Sequence, residues 1–196
     1  LGTPISSLMA WTELLKSAYP SDNLIPCMTE DVARLQMIAN RFSKIGSAPE
    51  MEQVDLGKLL KEVTEYMARR TSNKVAIITH LPENAIIIPL NASLFGWVIE
   101  NLCKNAIDAM DGVGKITVSV IESATRWYID VEDTGKGIIK SKHQTIFTPG
   151  YTTKKRGWGL GLSLARRIVE EYHSGRIFVK QSELNKGTVF RIELKK

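Results

Sequence analysis

The run Gly157-Trp158-Gly159-Leu160-Gly161-Leu162 passes without a break into a helical pattern over 160–172, and what precedes it is no strand. Bare glycines at a helix start expose backbone N–H groups, which suits a phosphate. In a dinucleotide-binding domain such a run follows a β-strand inside a parallel βαβ unit. Here it follows residues 136–156, which hold Lys136, Lys140, Lys142, Lys154, Lys155 and Arg156 and no acidic residue. A doubly wound parallel sheet therefore fails its context test, and the P-loop lysine pattern is absent as well.

The surrounding periodicity supplies an alternative architecture. Helical spacing is predicted over Leu56–Arg70 and Leu94–Met110, the latter capped by Asn91 and stopped at Gly112 or Gly114. Short β-branched runs span Val75–Leu81 and Ala85–Leu90. Lys115–Ile121 and Trp127–Glu132 alternate like paired strands, and Arg176–Gln181 and Thr188–Leu194 form a last pair around Leu184-Asn185-Lys186-Gly187. Helices and strands in this mixed order predict an α+β sandwich, with helices covering one face of a sheet.

The N-terminal segment reads differently. Ile5, Leu8, Met9, Trp11, Leu14 and Leu15 recur at helical spacing, Tyr19-Pro20-Ser21-Asp22 breaks the pattern, and Ile25 to Phe42 resumes it until Gly46. Two helices joined so closely lie antiparallel. One hairpin cannot hide its own apolar stripe, so a second copy or another domain must cover it; two copies make a four-helix bundle with two-fold symmetry. Ser47-Ala48-Pro49-Glu50 reads as a linker, giving domains at 1–48 and 49–196, with a basic lid at about 136–157.

Charge and cysteine usage narrow the function classes. Residues 1–50 carry a net charge of −1 against +5 for the whole chain, and the acid-free stretch 136–156 accounts for the excess. A polyanion is expected there. Aromatic interleaving and helix-turn-helix or zinc-finger patterns are missing, which disfavours nucleic acid. Cys27 and Cys103 have no metal-ligand or CxxC spacing, so a reducing, cytoplasmic setting is expected. No apolar run approaches the ~18 residues of a membrane span. Leu1 is no natural initiator, so the chain is expected to be a fragment that lost upstream sensor or membrane parts; the longer protein could be anchored in an inner membrane.

Four segments carry candidate chemistry. In Glu100–Met110, Asn101 and Asn105 leave one helical face a turn apart. Two amides on an otherwise apolar helix either satisfy neighbouring backbone or act as hard oxygen ligands for Mg²⁺, a cation that shares phosphate oxygens with its substrate. Strand 127–132 runs into Asp133-Thr134-Gly135-Lys136-Gly137-Ile138, where a strand-end carboxylate can accept from an exocyclic amine and glycines let backbone approach a flat ring. The same turn is also an ordinary loop. The glycine run 157–162 is the third segment. Ile146-Phe147-Thr148-Pro149-Gly150-Tyr151-Thr152-Thr153-Lys154 is the fourth, with aromatic anchors beside hydroxyls and cations, as in a mobile lid over phosphates.

In order and spacing these four segments together resemble the catalytic and ATP-binding domain of sensor histidine kinases, in the ATPase superfamily shared with gyrase, the mismatch-repair ATPase and the heat-shock chaperone. Glu100–Met110 is similar to the N box, Asp133–Ile138 to the G1 box, Ile146–Lys154 to the F box and Gly157–Leu162 to the G2 box, with Gly187-Thr188-Val189-Phe190 as the final glycine-threonine element. The match covers roughly 54–196. Residues 1–46 resemble the dimerisation and phosphoacceptor hairpin, with Thr3-Pro4 at the end of the H box.

The resemblance implies roles for particular residues. Asp133 is expected to bond the adenine amino group, with Gly135, Gly137, Ile138 and Thr188 completing the base pocket. Asn105, with Asn101 beside it, is expected to hold Mg²⁺. Asn101 stands where ATP-hydrolysing relatives carry a water-activating glutamate, which implies that the γ-phosphate is conserved for transfer. Glu100 points about 100° away round the helix and is not assigned that role. Thr152, Thr153 and Lys154 are expected at the phosphates, capped by the backbone of Gly159, Leu160, Gly161 and Leu162. At the third residue after Asn105 the family often carries Lys or Arg in contact with phosphate; here that residue is Asp108.

The implied activity is ATP-dependent autophosphorylation of a histidine and transfer to a response-regulator aspartate, by a homodimer joined through the hairpin. The resemblance places the acceptor two positions before Leu1. His80, His143 and His173 have no H-box context and read as ordinary histidines. Thr3 matches the position implicated in dephosphorylating the partner. The competing readings are a serine kinase with the same ATP pocket, which leaves the Thr-Pro hairpin unexplained, and a nucleotide-binding dimeric scaffold without kinase activity.

Overall fold

The computed structural model describes residues 2–20, 22, 24–26, 28, 29, 32, 50–154 and 158–196. The chain divides into two compact units, Leu1–Pro49 and Glu50–Lys196.

In the first unit, helix α1 spans Gly2–Ala18, with Pro4 in its opening turn, where its missing N–H costs no intrahelical bond. Thr12 is buried and its hydroxyl donates to Met9 O at 2.8 Å, whereas Leu8, Met9, Trp11 and Leu14 are exposed. Of the hairpin's expected second helix, the described residues 24–26, 28, 29 and 32 are helical, and Ile25 and Val32 are buried. The remainder of that expected helix lies outside the described residues.

The second unit opens with strand β1 (Glu52–Asp55), too short and polar to register as a strand in the sequence, which pairs antiparallel with β3 (Ile87–Leu90). Helix α2 (Leu56–Arg70) starts at Asp55, whose carboxylate accepts from the N–H groups of Gly57 and Lys58 and satisfies two otherwise orphan donors. Helix α3 (Ala92–Ala109) begins in the same way at Asn91, whose Oδ1 accepts from Leu94 N at 3.0 Å.

The main sheet has the order β2 (Val75–His80), β4 (Gly114–Glu122), β5 (Arg126–Asp133), β7 (Gly187–Lys195), β6 (Arg176–Glu183). β2 runs parallel to β4 and the other neighbours are antiparallel. Alternation puts Ile116 and Val118, Ile129 and Val131, and Phe190 and Ile192 into the core. Phe95, Val98, Ile99 and Leu102 of α3 are fully or almost fully buried, as are Leu56 and Leu60 of α2. Helix α4 (Gly161–Arg167) contributes Leu164 and Ala165 and passes into a π-turn over Ile168–Tyr172. This is the α/β sandwich expected, with the last helix wound more loosely than its periodicity suggested.

The other face of the sheet is closed by charge. Asp130 lies opposite Arg191, which grips it with two bonds of 2.7 Å, while Lys180 Nζ adds a third at 2.9 Å. Burial works to raise the Asp130 pKa, but the hydrogen bonds and charges of Arg191 and Lys180 outweigh it and hold the carboxyl below its usual range.

Candidate functional site

The C-terminal half of α3, the end of β5, the β6–β7 hairpin and the segments around α4 meet along one side of the second unit. Each contributes one of the sequence motifs.

At the β5 end stands Asp133, buried, one of whose oxygens accepts from Gly135 N at 2.8 Å. Its register partner across β5–β7 is Thr188, whose backbone N–H also bonds the carboxylate. Burial raises the Asp133 pKa and Glu132 adds to that, while the two N–H groups pull against it; burial wins. The glycines let three backbone segments close around this carboxylate. A Cβ at Gly135 would lie 2.6 Å from Ala109 O at the end of α3, and one at Gly137 (φ +72°) would lie 2.1 Å from Glu183 O in the hairpin. The gaps are bridged by Lys136 N donating to Ala109 O and Asn185 N donating to Lys136 O, both at 2.9 Å.

Two residues that sequence reasoning missed complete this end. Ser182 Oγ receives Ile138 N at 2.8 Å, lies 3.0 Å from Gly187 O and 2.9 Å from Thr188 Oγ1. Its signal was the turn 184–187, which sets Ser182 directly across from Thr188. Met110, beyond α3, receives the Thr134 hydroxyl on its sulfur at 3.3 Å; the bare motif carried no signal for it.

At the other end of α3's polar face, Asn101 lies against the start of α4, where a Cβ on Gly161 would come 2.3 Å from Asn101 Oδ1. Its Nδ2 is buried with no hydrogen-bond partner among the described residues. An orphan donor of this kind costs about 1–3 kcal/mol, a cost that a ligand oxygen removes. One turn on, Asn105 Oδ1 accepts from Lys154 Nζ at 3.0 Å, and Asp108 Oδ2 meets the same ammonium at 2.5 Å. Two side-chain oxygens thus converge on a cation, a donor set that suits hard Mg²⁺. Glu100 pairs instead with Lys104.

The basic segment is anchored at both ends. Phe147 is buried edge-to-face on Phe190 at 6.2 Å, and the Arg166 guanidinium sits 5.3 Å from its ring centre. His143 Nε2 lies 3.0 Å from Ile138 O. Farther along, Thr152 Oγ1 accepts from Lys154 N at 3.1 Å, while Thr152 and Thr153 are exposed. Gly150 N donates to Gly159 O at 3.1 Å, and Gly159 takes a φ of +64° so close to Gly150 that any Cβ would clash. Leu160, Gly161 and Leu162 are half-buried at the opening of α4, where Leu160 O accepts from Leu164 N and the Ser163 hydroxyl. Thus Asn101, Asn105, Asp108 and Lys154 come together with Gly161 at one end, and Asp133, Gly135, Gly137, Ile138 and Thr188 at the other. The side chain of Thr3 lies outside the described residues, as do residues 155–157.

Other reactive groups nearby are structural. Burial, and then Glu100, push the Cys103 thiol up to about 12, so it is no nucleophile. His173 accepts from Asn91 N on Nε2 at 3.1 Å, has Nδ1 2.9 Å from Ile168 O, and packs edge-to-face on Phe95. It pins the π-turn to the start of α3.

Comparison with known proteins gives the same outline. Residues 91–196 match the family model described as histidine kinase-, DNA gyrase B- and HSP90-like ATPase. Sporulation kinase C of Bacillus subtilis is 28% identical over 97% of this chain and 45% of its own length. Sensor histidine kinase ZraS of Salmonella typhi is 31% identical over 97% of this chain and 42% of its own. The chain therefore spans less than half of these curated relatives. The nucleotide-free catalytic domain of histidine kinase ThkA superposes with a TM-score of 0.66 at 30% identity, over 75% of this chain and 96% of that one. Two structures at 23% identity share the fold: full-length ShkA with AMPPNP (TM-score 0.80, 98% of this chain, 43% of that one) and ThkA with response regulator TrrA (0.71, 98% and 57%).

Proposed function

We infer function from one premise: the chain belongs to the histidine kinase-, DNA gyrase B- and HSP90-like ATPase family and carries the catalytic core of a sensor histidine kinase. On that premise the second unit binds ATP between its two polar ends. Asp133, with Gly135, Gly137, Ile138 and Thr188, receives the adenine. Asn101, Asn105, Thr152, Thr153 and Lys154, with the backbone of Gly159 to Leu162, receive the phosphates, and Asp108 holds the Lys154 ammonium beside them. Asn105 and Asn101 hold Mg²⁺, which would neutralise phosphate charge when bound. The observation that carries this reading is the buried Asp133 carboxylate at one end of α3's polar face and the unpartnered Asn101 amide at the other.

The reaction we propose is phosphoryl transfer to a histidine upstream of Leu1 and from there to a receiver-domain aspartate of a response regulator, the kind of partner named in the ThkA complex. Such transfer depends on positioning and charge neutralisation, which these side chains can supply. Asn101, an amide, has no basic group with which to activate water, which favours transfer over hydrolysis. We further propose homodimerisation through the first unit, because the exposed Leu8, Met9, Trp11 and Leu14 of α1 need a cover. Thr3 is proposed for removal of phosphate from the partner.

The test is a longer protein that includes the upstream histidine, incubated with γ-labelled Mg·ATP. Acid-labile, alkali-stable label that vanishes when that histidine is replaced supports the reading. Acid-stable label points to the serine-kinase alternative, and ATP binding without label to a scaffold.

A further inference from the structure

Helices α3 and α4 run antiparallel along each other and are joined at two places. At one, the backbone of Gly161 lies so close to Asn101 that a Cβ would meet its Oδ1 at 2.3 Å. At the other, just past the π-turn that continues α4, His173 reaches the start of α3. Its Nε2 is 3.1 Å from Asn91 N, and its ring packs edge-to-face on Phe95 at 5.4 Å. Asn101 follows Asn91 by ten residues, or roughly 15 Å of helix.

The state of the His173 ring follows from what its two partners can do. An amide N–H only donates, so Nε2 accepts from Asn91 and carries no proton; the ring proton is on Nδ1 and goes to Ile168 O at 2.9 Å. That second bond reaches back five residues, the span of a π-helical hydrogen bond, to the first carbonyl of the π-turn. One neutral imidazole therefore ties the end of this helical segment both to itself and to α3. Asn91 is itself held on two sides: its Oδ1 caps α3 through Leu94 N, and its Nδ2 donates to Glu50 O, both at 3.0 Å. Without the ring, the π-turn is free to relax toward α-helical bonding. Such a change shifts and turns α4 along its neighbour, by up to about 1.5 Å for one residue of slip. The start of α4, where Gly161 meets Asn101, moves with it.

We propose that His173 is a positioning residue for the phosphate end of the site: by bonding Asn91 and Ile168 at once it sets the seat of α4 along α3, and with it the close approach of Gly161 to the Asn101 amide. That amide is the group whose Nδ2 has no partner among the described residues. The inference rests on the nucleotide-site reading above and adds to it a residue outside all four motifs. A site that works by positioning is sensitive to misplacements of about 1 Å, so a distant clamp can matter to it.

Calorimetric titration of the chain with ADP and with adenosine tests this in His173→Leu, which fills the space but makes neither bond. ADP affinity is expected to fall about tenfold, while adenosine, which has no phosphate to misplace, stays within about twofold of wild type. His173→Gln, whose amide can accept from Asn91 N and donate to Ile168 O, should bring ADP binding back to within about threefold of wild type. A double-mutant cycle locates the effect: in the Asn101→Ala background, His173→Leu should weaken ADP by no more than about twofold further. Unchanged ADP affinity, equal losses of ADP and adenosine, or full additivity with Asn101→Ala each overturn the positioning role. Should His173→Leu not melt cooperatively, His173→Asn, too short to reach both partners, is measured in its place with the same expectations. Wild-type protein that binds no ADP overturns the nucleotide-site reading itself.

Discussion

Lys154 Nζ donates to Asn105 Oδ1 at 3.0 Å, so the basic segment and helix α3 share one acceptor. That oxygen is also the proposed ligand of Mg²⁺, and it cannot serve an ammonium and a divalent cation at full strength together. Asp108 keeps the ammonium within reach. The Lys154–Asp108 pair is about half exposed, at 40% and 54%, and pairs of that kind contribute only about 0–1 kcal/mol. Such a contact can hold Lys154 over the site and still release it cheaply.

Asp108→Ala should therefore leave the melting transition of the second unit almost unmoved, by less than ~1 kcal/mol. Its effect should fall on phosphate-bearing ligands, because Lys154 is no longer held beside Asn105. Affinity for ADP should drop severalfold with adenosine unaffected. An equal loss for both ligands contradicts this role.

Asn105→Ala removes the shared acceptor and the proposed cation ligand. Mg·ADP affinity should fall about tenfold or more, and the Mg²⁺ dependence of binding should flatten. Retention of a normal Mg²⁺ dependence would move the cation site elsewhere.

Asp133→Asn is the corresponding test at the base end. The amide keeps the shape and one acceptor oxygen, but its NH₂ faces the ligand amine or the N–H groups of Gly135 and Thr188, which already donate. A charge-assisted bond of about 1.5–3 kcal/mol is lost, so ADP affinity should fall by roughly 10- to 150-fold. Binding within threefold of wild type removes Asp133 from the base pocket.

Much of this arrangement was legible because it is local. Asn101 and Asn105 share a helix face by spacing alone, and Asn91 and Asp133 sit where a cap and a strand end must be. Other features depended on contacts distant in sequence. Ser182 is one serine in a polar hairpin until Ile138 and Thr188 come beside it. β1 is four residues of Glu-Gln-Val-Asp and exists because β3 pairs with it. The π-helical turn at 168–172 ends at His173, whose ring takes the N–H of Asn91, 82 residues away in sequence. Asp108 broke the family's basic pattern, and only the structure supplies the partner, Lys154, that accounts for it.

His173 makes stability depend on pH. Burial lowers its pKa from the ordinary 6.5, and the bond to Ile168 O only partly opposes this. Accepting from Asn91 N requires a neutral ring. A base whose folded pKa is depressed stabilises the fold fully above its unfolded pKa, because the unfolded chain binds the extra proton. Stability should thus be flat above about pH 7 and decline as pH falls below 6.5 toward the lower folded value. Urea midpoints from pH 5 to 8 should show that slope in the wild type and a shallower one in His173→Gln, which can still accept from Asn91. Equal slopes assign the pH dependence to the carboxylates.

Gly161→Ala and Gly137→Ala separate the site from the fold. A Cβ at Gly137 meets the backbone oxygen of Glu183 at 2.1 Å with φ at +72°, so neither the contact nor the conformation can relax without moving the hairpin. That substitution should cost about 1–3 kcal/mol of stability. At Gly161 the obstacle is the end of the Asn101 side chain, at 2.3 Å, and the backbone there is ordinary helix. The amide can swing aside, and alanine's better helix propensity offsets part of the strain. Gly161→Ala should therefore fold normally and lose nucleotide affinity, because the displaced group is the one whose Nδ2 waits for a partner. If Gly161→Ala bound ADP as tightly as the wild type, Asn101 would have no part in holding the phosphates.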